Sequence, residues 1–205
     1  MAKEKEDWAS FHKRLAGFFP KDIENIDWAY QLAKSAHRAQ QREGGERYFE
    51  HPRAVALILL DEVKVRNPRM IITALLHDSA EDTAIFGNPT QTDYQTWAKL
   101  VEDRVSRMFG EEVSKMVIAL TKPPGEEHFY LENLKKASTE TLLVKMADRL
   151  HNLRTLKDVP YKKRLVKIAE TRDLYYPIFD NVKQNSPWRT YYLRNQMELA
   201  IDKLR

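Results

Sequence analysis

Apolar residues recur at helical spacing along nearly the whole chain, and no stretch alternates convincingly with a period of two. Residues 22–41 place Ile26, Ala29, Ala33 and Ala36 on one stripe. The same pattern predicts helices over 52–65, 68–82, 92–109, 111–121, 139–157, 160–176 and 186–204. The punctuation agrees. Pro52, Pro68 and Pro187 fall where a first helical turn tolerates a missing donor. Thr92 or Asp93 can cap one helix and Ser186 another. Arg42-Glu43-Gly44-Gly45 ends the helix over 22–41. Residues 84–91 and 122–128, with Gly-Asn-Pro and Pro-Pro-Gly, read as loops longer than a tight connection. The expected fold class is all α. One domain is expected over 22–182, with a helical extension at 1–21 and a C-terminal helix at 183–205 packed on it. Trp28, Trp97 and Trp188 are expected as core anchors.

Composition narrows the chemistry. The 205 residues suffice for a core without staples. The 6 glycines include no phosphate-cradling GxGxxG or GxxxxGK[ST], which argues against a Rossmann or P-loop protein. With 0 cysteines, disulfides, thiolate metal sites and a thiol nucleophile are excluded. Any metal must be held by His, carboxylates and water. No apolar run approaches the ~20 residues of a membrane span, and the first ten residues lack a signal-peptide stretch. A cytoplasmic location is expected. The net charge of +4 is uneven: residues 142–205 carry 14 Lys and Arg against 7 Asp and Glu. Such a surface suits a polyanion, including a small phosphorylated nucleotide.

The segment Leu75-Leu76-His77-Asp78-Ser79-Ala80-Glu81-Asp82-Thr83 is the most informative. On a helix, His77 and Glu81 lie about 40° apart, as do Asp78 and Asp82. Three carboxylates that close repel unless a cation or solvent compensates. A solvated acidic helix end is the plain alternative. His followed by Asp favours a metal such as Mn²⁺, Fe²⁺ or Zn²⁺. Two ligands do not complete a coordination sphere. His51, whose backbone before Pro52 is biased away from α, sits at a helix entrance. Asp148, Asn152 and Thr155 share a face of the helix over 139–157, opposite the stripe Leu143, Met146, Leu150 and Leu153. Asn and Thr are poor choices for a solvated face.

His51-Pro52, His77-Asp78 and the distant Asp148 resemble the H…HD…D order of HD-domain metal-dependent phosphohydrolases. The surrounding stretches resemble the RelA/SpoT-type alarmone hydrolase domain: residues 36–48 leading to His51, Leu75 to Thr83, Leu120-Thr121-Lys122, and Val144 to Leu156. The helix Ile168-Ala169-Glu170-Thr171 through Tyr176-Pro177 resembles the one that follows in that family. The likeness runs from Trp28 to Asn181.

What the resemblance implies is an all-helical HD fold with one Mn²⁺ on His51, His77, Asp78 and Asp148. Glu81 and Asp82 would form the acid–base pair, unranked by sequence. Arg42, Asn152 and Thr155 would contact the nucleotide. The activity implied is removal of the 3′-pyrophosphate from (p)ppGpp. Lys122 and Lys145 are further candidates for stabilising substrate charge. Two features depart from the family: Arg47 stands where Pro is usual, and residues 84–96 are longer than the usual link. The short stretch after Leu156 leaves no room for a synthetase domain, so a stand-alone hydrolase is expected. Alternatives are another phosphorylated nucleotide, such as NADPH or an adenine alarmone, and a non-enzymatic nucleotide or nucleic-acid binder. An intact ligand and acid–base set argues against the binder. His12 reads as surface and His37 as structural. His151 reads as a packing or hydrogen-bonding residue facing away from Asp148. His128 is a candidate for substrate contact, and Tyr175 and Tyr176 fit either core or pocket.

Overall fold

A computed structural model describes residues 7–87, 93–182 and 184–204. Its elements are helical, as the periodicity predicts. α1 (Trp8–Lys13) begins where Asp7 accepts the Ser10 N–H at 2.8 Å. α2 (Pro20–Ala36), α3 (Glu50–Leu57) and α4 (Pro68–Leu76) follow, then the single turn α5 (Ser79–Asp82). α6 (Tyr94–Phe109) starts at Asp93, which accepts the Thr96 N–H at 3.0 Å. Thr92, the alternative cap, lies outside the described residues. α7 (Glu111–Leu120), α8 (Glu127–Leu134) and α9 (Thr139–Arg154) lead to α10 (Tyr161–Glu170), α11 (Tyr176–Phe179) and α12 (Pro187–Asp202). Among the described residues there is no strand, only a bridge between Gln41 and Arg47.

α9 is the axis of the molecule. α3, α4, α7 and α12 all pack on it. Leu143, Met146, Leu150 and Leu153 are buried, as predicted, but so are Leu142, Val144 and Ala147. A helix apolar on most of its circumference belongs inside. The strip that is not apolar carries Asp148, Asn152 and Thr155, and it lines a cavity rather than facing bulk water. α1 and the turn after it contribute to the same interior, with Phe11 and Leu15 fully buried.

The structure corrects several boundaries. The helix over 22–41 stops at Ala36, five residues early. The chain then turns back on itself: the Arg42 N–H donates to the Glu46 carbonyl at 2.8 Å, and Gly45 takes the left-handed φ of 80° the turn requires. The helix containing Pro52 starts two residues sooner than expected, at Glu50. His51 is therefore in a first helical turn, not in extended backbone, because Pro at this point costs no intrahelical bond. The predicted helix over 68–82 is two helices broken at His77-Asp78. Residues 127–134, partly read as loop, form α8. The helix over 139–157 closes at Arg154 with one 3₁₀ turn after it, Leu156–Asp158. The helix over 160–176 starts at Tyr161 and is regular only to Glu170. Residues Thr171–Tyr175 then widen to a π turn before α11.

Of Trp28, Trp97 and Trp188 only Trp97 is a core anchor, with its indole N–H donating to the Gly87 carbonyl at 3.1 Å. Trp28 and Trp188 are about half exposed, at 49% and 55%. Each packs on a half-buried aromatic ring instead, Trp28 on Phe109 and Trp188 on Tyr192.

Candidate metal centre

Four side chains from three separated segments meet at one buried point. His51 comes from the first turn of α3, His77 and Asp78 from the break between α4 and α5, and Asp148 from the middle of α9. His51 Nε2 lies 3.3 Å from His77 Nε2, 3.4 Å from Asp78 Oδ2 and 3.2 Å from Asp148 Oδ1. His77 Nε2 lies 3.2 Å from Asp78 Oδ1 and 3.8 Å from Asp148 Oδ1. The atoms of His51, His77 and Asp78 all fall within 4.8 Å of one another. Consecutive residues of an unbroken helix diverge by about 100°. The break is what lets His77 and Asp78 converge.

The donor set fits a divalent cation. His77 Nδ1 donates to the Ala74 carbonyl at 2.8 Å, since a carbonyl only accepts. In the neutral ring that places the hydrogen on Nδ1 and makes Nε2 the atom available to a cation. Two imidazole nitrogens and two carboxylates, with no sulfur, suit Mn²⁺, Fe²⁺ or Zn²⁺.

The electrostatics hold the carboxylates ionised. Burial works against charge on Asp148, yet Lys145 Nζ at 2.9 Å and the two imidazoles hold it well below the usual carboxylate range. Burial likewise opposes charge on Lys145, and Asp148 keeps it well above its ordinary value. Asp78 is also lowered: burial opposes this, and His77 and His51 outweigh it. Burial pushes the His51 pKa down. Burial acts the same way on His77, but Asp78 and Asp148 reverse it and raise the imidazole to about 9.

Glu81 and Asp82 stand beside this cluster on α5. Burial raises both, with the Asp78 charge adding to Asp82. The Lys122 N–H donates to Glu81 Oε2 at 2.9 Å. The Tyr48 hydroxyl reaches Asp82 Oδ2 at 2.5 Å and Asp78 Oδ2 at 2.9 Å. Burial, then the charges of Asp78 and Asp82, push its phenol well up, so Tyr48 keeps its proton. Sequence reasoning passed over Tyr48 as a site residue. Its place three residues before His51, on the same side of a helical turn, is the signal that would have found it.

The cluster forms one end of a cavity of about 740 Å³. Its walls place Arg42, Lys122, Lys145, Asn152 and Thr155 around one space, together with Glu81 and Asp82. Arg42, carried on the turn after α2, donates to Asn152 Oδ1 at 2.8 Å and Thr155 Oγ1 at 3.4 Å. Asn152 in turn donates to Asp148 Oδ1 at 2.6 Å. Lys122 meets the cluster through its backbone, while its ammonium pairs with Glu127. Lys145 lies between the rings of Tyr130 and Tyr175, 5.6 and 5.7 Å from their centroids. Tyr175 thus belongs to the pocket and Tyr176 does not. The cavity wall also carries Arg149, Arg154, Lys157, Lys163 and Lys167.

The remaining histidines sort differently from expectation in one case. His37 is structural: it stacks on Tyr48 at 4.7 Å and bonds Gln40. His128 is exposed and outside the cavity wall. His151 does not face away from Asp148. Residues three apart are only about 60° apart around a helix, and His151 Nδ1 lies 2.7 Å from His51 Nδ1. Burial, followed by the nearby His51 and Arg42, lowers the His151 pKa to about 2. Arg47, in the place of the family's Pro, pairs with Glu50 and leaves the cavity wall to its neighbours. Of the long link over 84–96, residues 88–92 lie outside the described residues.

A family model described as HD domain matches residues 29–181, three quarters of the chain. The chain belongs to the HD-domain family. This HD domain is 33% identical over 173 residues to a GTP pyrophosphokinase of Streptomyces antibioticus, covering 80% of this chain and 18% of that protein. It is 37% identical over 164 residues to the GTP pyrophosphokinase rsh of Brucella melitensis, covering 75% of this chain and 20% of that protein. The chain therefore spans about a fifth of the length of these relatives. A solved structure described as "A metazoan ortholog of SpoT hydrolyzes ppGpp and plays a role in starvation responses" matches with a TM-score of 0.61 at 25% identity. That match covers 88% of this chain and 93% of that one. The relatives of this HD domain are thus RelA/SpoT-type enzymes. No helix among its described residues is long and apolar enough to cross a membrane.

Proposed function

We propose that this HD domain is a Mn²⁺-dependent hydrolase that removes the 3′-pyrophosphate from (p)ppGpp, giving GDP or GTP and pyrophosphate. One observation carries the reading. A cluster of two imidazoles and two ionised carboxylates borders a large cavity whose wall also carries Arg42, Lys145, Lys157 and Lys163, on the fold of a ppGpp-hydrolysing relative. A nucleoside bearing several phosphates matches that abundance of basic side chains.

In this reading His51, His77, Asp78 and Asp148 hold the cation. A divalent cation held there would neutralise phosphoryl charge and make water a better nucleophile near neutral pH. Glu81 takes the proton of the attacking water. Its carboxylate is raised by burial and has only one oxygen engaged, by the Lys122 N–H. Asp82 is tied to the Tyr48 hydroxyl, which lowers its basicity and makes it the partner that positions and returns the proton. The new bond joins water oxygen to phosphorus, and the bond to the 3′ oxygen breaks. Lys145 and the side chain of Arg42 offset phosphate charge, while Lys122 contributes its backbone N–H to Glu81. Arg42, Asn152 and Thr155 form a continuous hydrogen-bonded ledge for the nucleoside.

The test is incubation of the purified protein with ppGpp and Mn²⁺, with separation of the products. GDP and pyrophosphate in equal amounts support the reading. Mn²⁺ binding without turnover refutes it, and faster turnover of NADPH or an adenine alarmone reassigns the substrate.

A further inference from the structure

His151 has no part in the scheme above, yet it makes one of the shortest contacts in the site. The hydrogens around it can be assigned from what each group is able to do. Arg42 has donors only. Its Nη1 is directed at His151 Nδ1 at 3.4 Å, so that nitrogen presents a lone pair. His51 Nδ1 meets the same atom at 2.7 Å. Two lone pairs do not face each other at that distance, so the hydrogen belongs to His51 Nδ1. The other nitrogen of His51, Nε2, is then bare, and it is the one that faces His77, Asp78 and Asp148.

The opposite assignment has a distinct consequence. With the hydrogen on His151 Nδ1, His51 would carry its own on Nε2, against the two carboxylates, and would close the cluster to a cation. Arg42, donating to the same nitrogen, opposes that arrangement. In its neutral form His77 takes the same tautomer by another device, the Ala74 carbonyl. The ring of His151 also backs the ring of His51, 4.9 Å between centroids, so it fixes orientation as well as tautomer.

We infer that His151 is a positioning residue: held as an acceptor by Arg42, it sets the tautomer and the orientation of His51 for metal binding. This rests on the metal-centre reading above. Outer partners of metal-bound histidines are usually carboxylates, carbonyls or water, and their loss costs roughly 10–100-fold in metal affinity.

Two measurements test it. Long-range ¹H–¹⁵N spectra of the metal-free protein report which nitrogen of each neutral imidazole is protonated. A hydrogen on His51 Nδ1 is expected, and one on Nε2 overturns the inference. Calorimetric titration with Mn²⁺ then compares the wild type with H151F and H151Q. H151F removes the acceptor and should weaken binding by about 10–100-fold. H151Q offers a carbonyl oxygen and should recover most of the loss. Equal Mn²⁺ affinity in wild type and folded H151F overturns the inference. If H151F does not fold, the wild-type spectra decide alone. If the wild type binds no Mn²⁺, the metal-centre reading fails, while the spectra still judge the tautomer separately.

Discussion

His77 Nε2 and Asp78 Oδ1 lie 3.2 Å apart although the two residues are consecutive in the chain. The relationship exists only because α4 ends at Leu76 and α5 begins at Ser79. Asp78 is the member of the cluster that both imidazoles approach through a different oxygen. D78A should lower Mn²⁺ affinity by more than the 10–100-fold typical of an outer partner, and reduce ppGpp hydrolysis to background. Titration calorimetry and product analysis check this; undiminished Mn²⁺ binding would remove Asp78 from the centre.

Lys145 and Asp148 form a buried pair on one turn of α9. Removing the cation leaves a carboxylate beneath the surface without its nearest counter-charge. K145M should destabilise the metal-free protein by about 3–5 kcal/mol. The double variant K145M/D148N should cost less than the two single changes together, by roughly 0.5–3 kcal/mol. Urea unfolding of the four proteins closes the cycle, and strict additivity would show that the pair is not coupled.

Burial raises Glu81 above an ordinary carboxylate, and the base form is the ionised one. Activity is therefore present above the raised pKa and is lost as the pH falls through it. The acidic limb of the kcat/KM profile should lie above the ordinary glutamate range. E81Q should lower kcat and abolish that limb. A profile whose acidic limb is unchanged in residual E81Q activity would assign the proton to another group.

Metal addition should stabilise the fold. At a hundredfold excess over Kd a ligand bound only to the folded state contributes about 2.7 kcal/mol. For a chain of this size that corresponds to a Tm rise of roughly 5–10 °C. Mn²⁺ should act at lower concentration than Mg²⁺, because imidazole ligands suit the former better. A thermal melt with and without chelator measures both, and a Tm indifferent to Mn²⁺ would count against the centre.

Much of the architecture was legible in the chain because local signals coincide with the global fold. Pro68 and Pro187 do start helices, and Asn67 caps α4 by accepting the Arg69 N–H. The site residues drawn from the motif stretches line one cavity, except His77, which is buried behind it. What escaped the sequence was geometry that periodicity does not encode. Nothing in Leu75 to Thr83 interrupts helical spacing, so the break at His77-Asp78 was invisible. His51 was misread because the constraint before proline is relaxed in a first turn. His151 was placed by a face argument that overlooked how close positions three apart lie. Trp28 and Trp188 show that aromatic size alone does not place a residue inside.

The widened turn at Thr171–Tyr175 has one more implication. Upstream, α10 has no buried residue and offers Lys163 and Lys167 to the cavity. Downstream, Tyr176, Ile178 and Phe179 enter the core. The extra residue in that turn is a phase shift, letting one continuous rod serve the cavity along half its length and the interior along the other. A single deletion there would rotate everything beyond it by about 100°, withdrawing Tyr175 from Lys145 and Arg149 and turning core side chains outward. A segment that looks like a tolerant surface helix is thereby fixed in length to the residue.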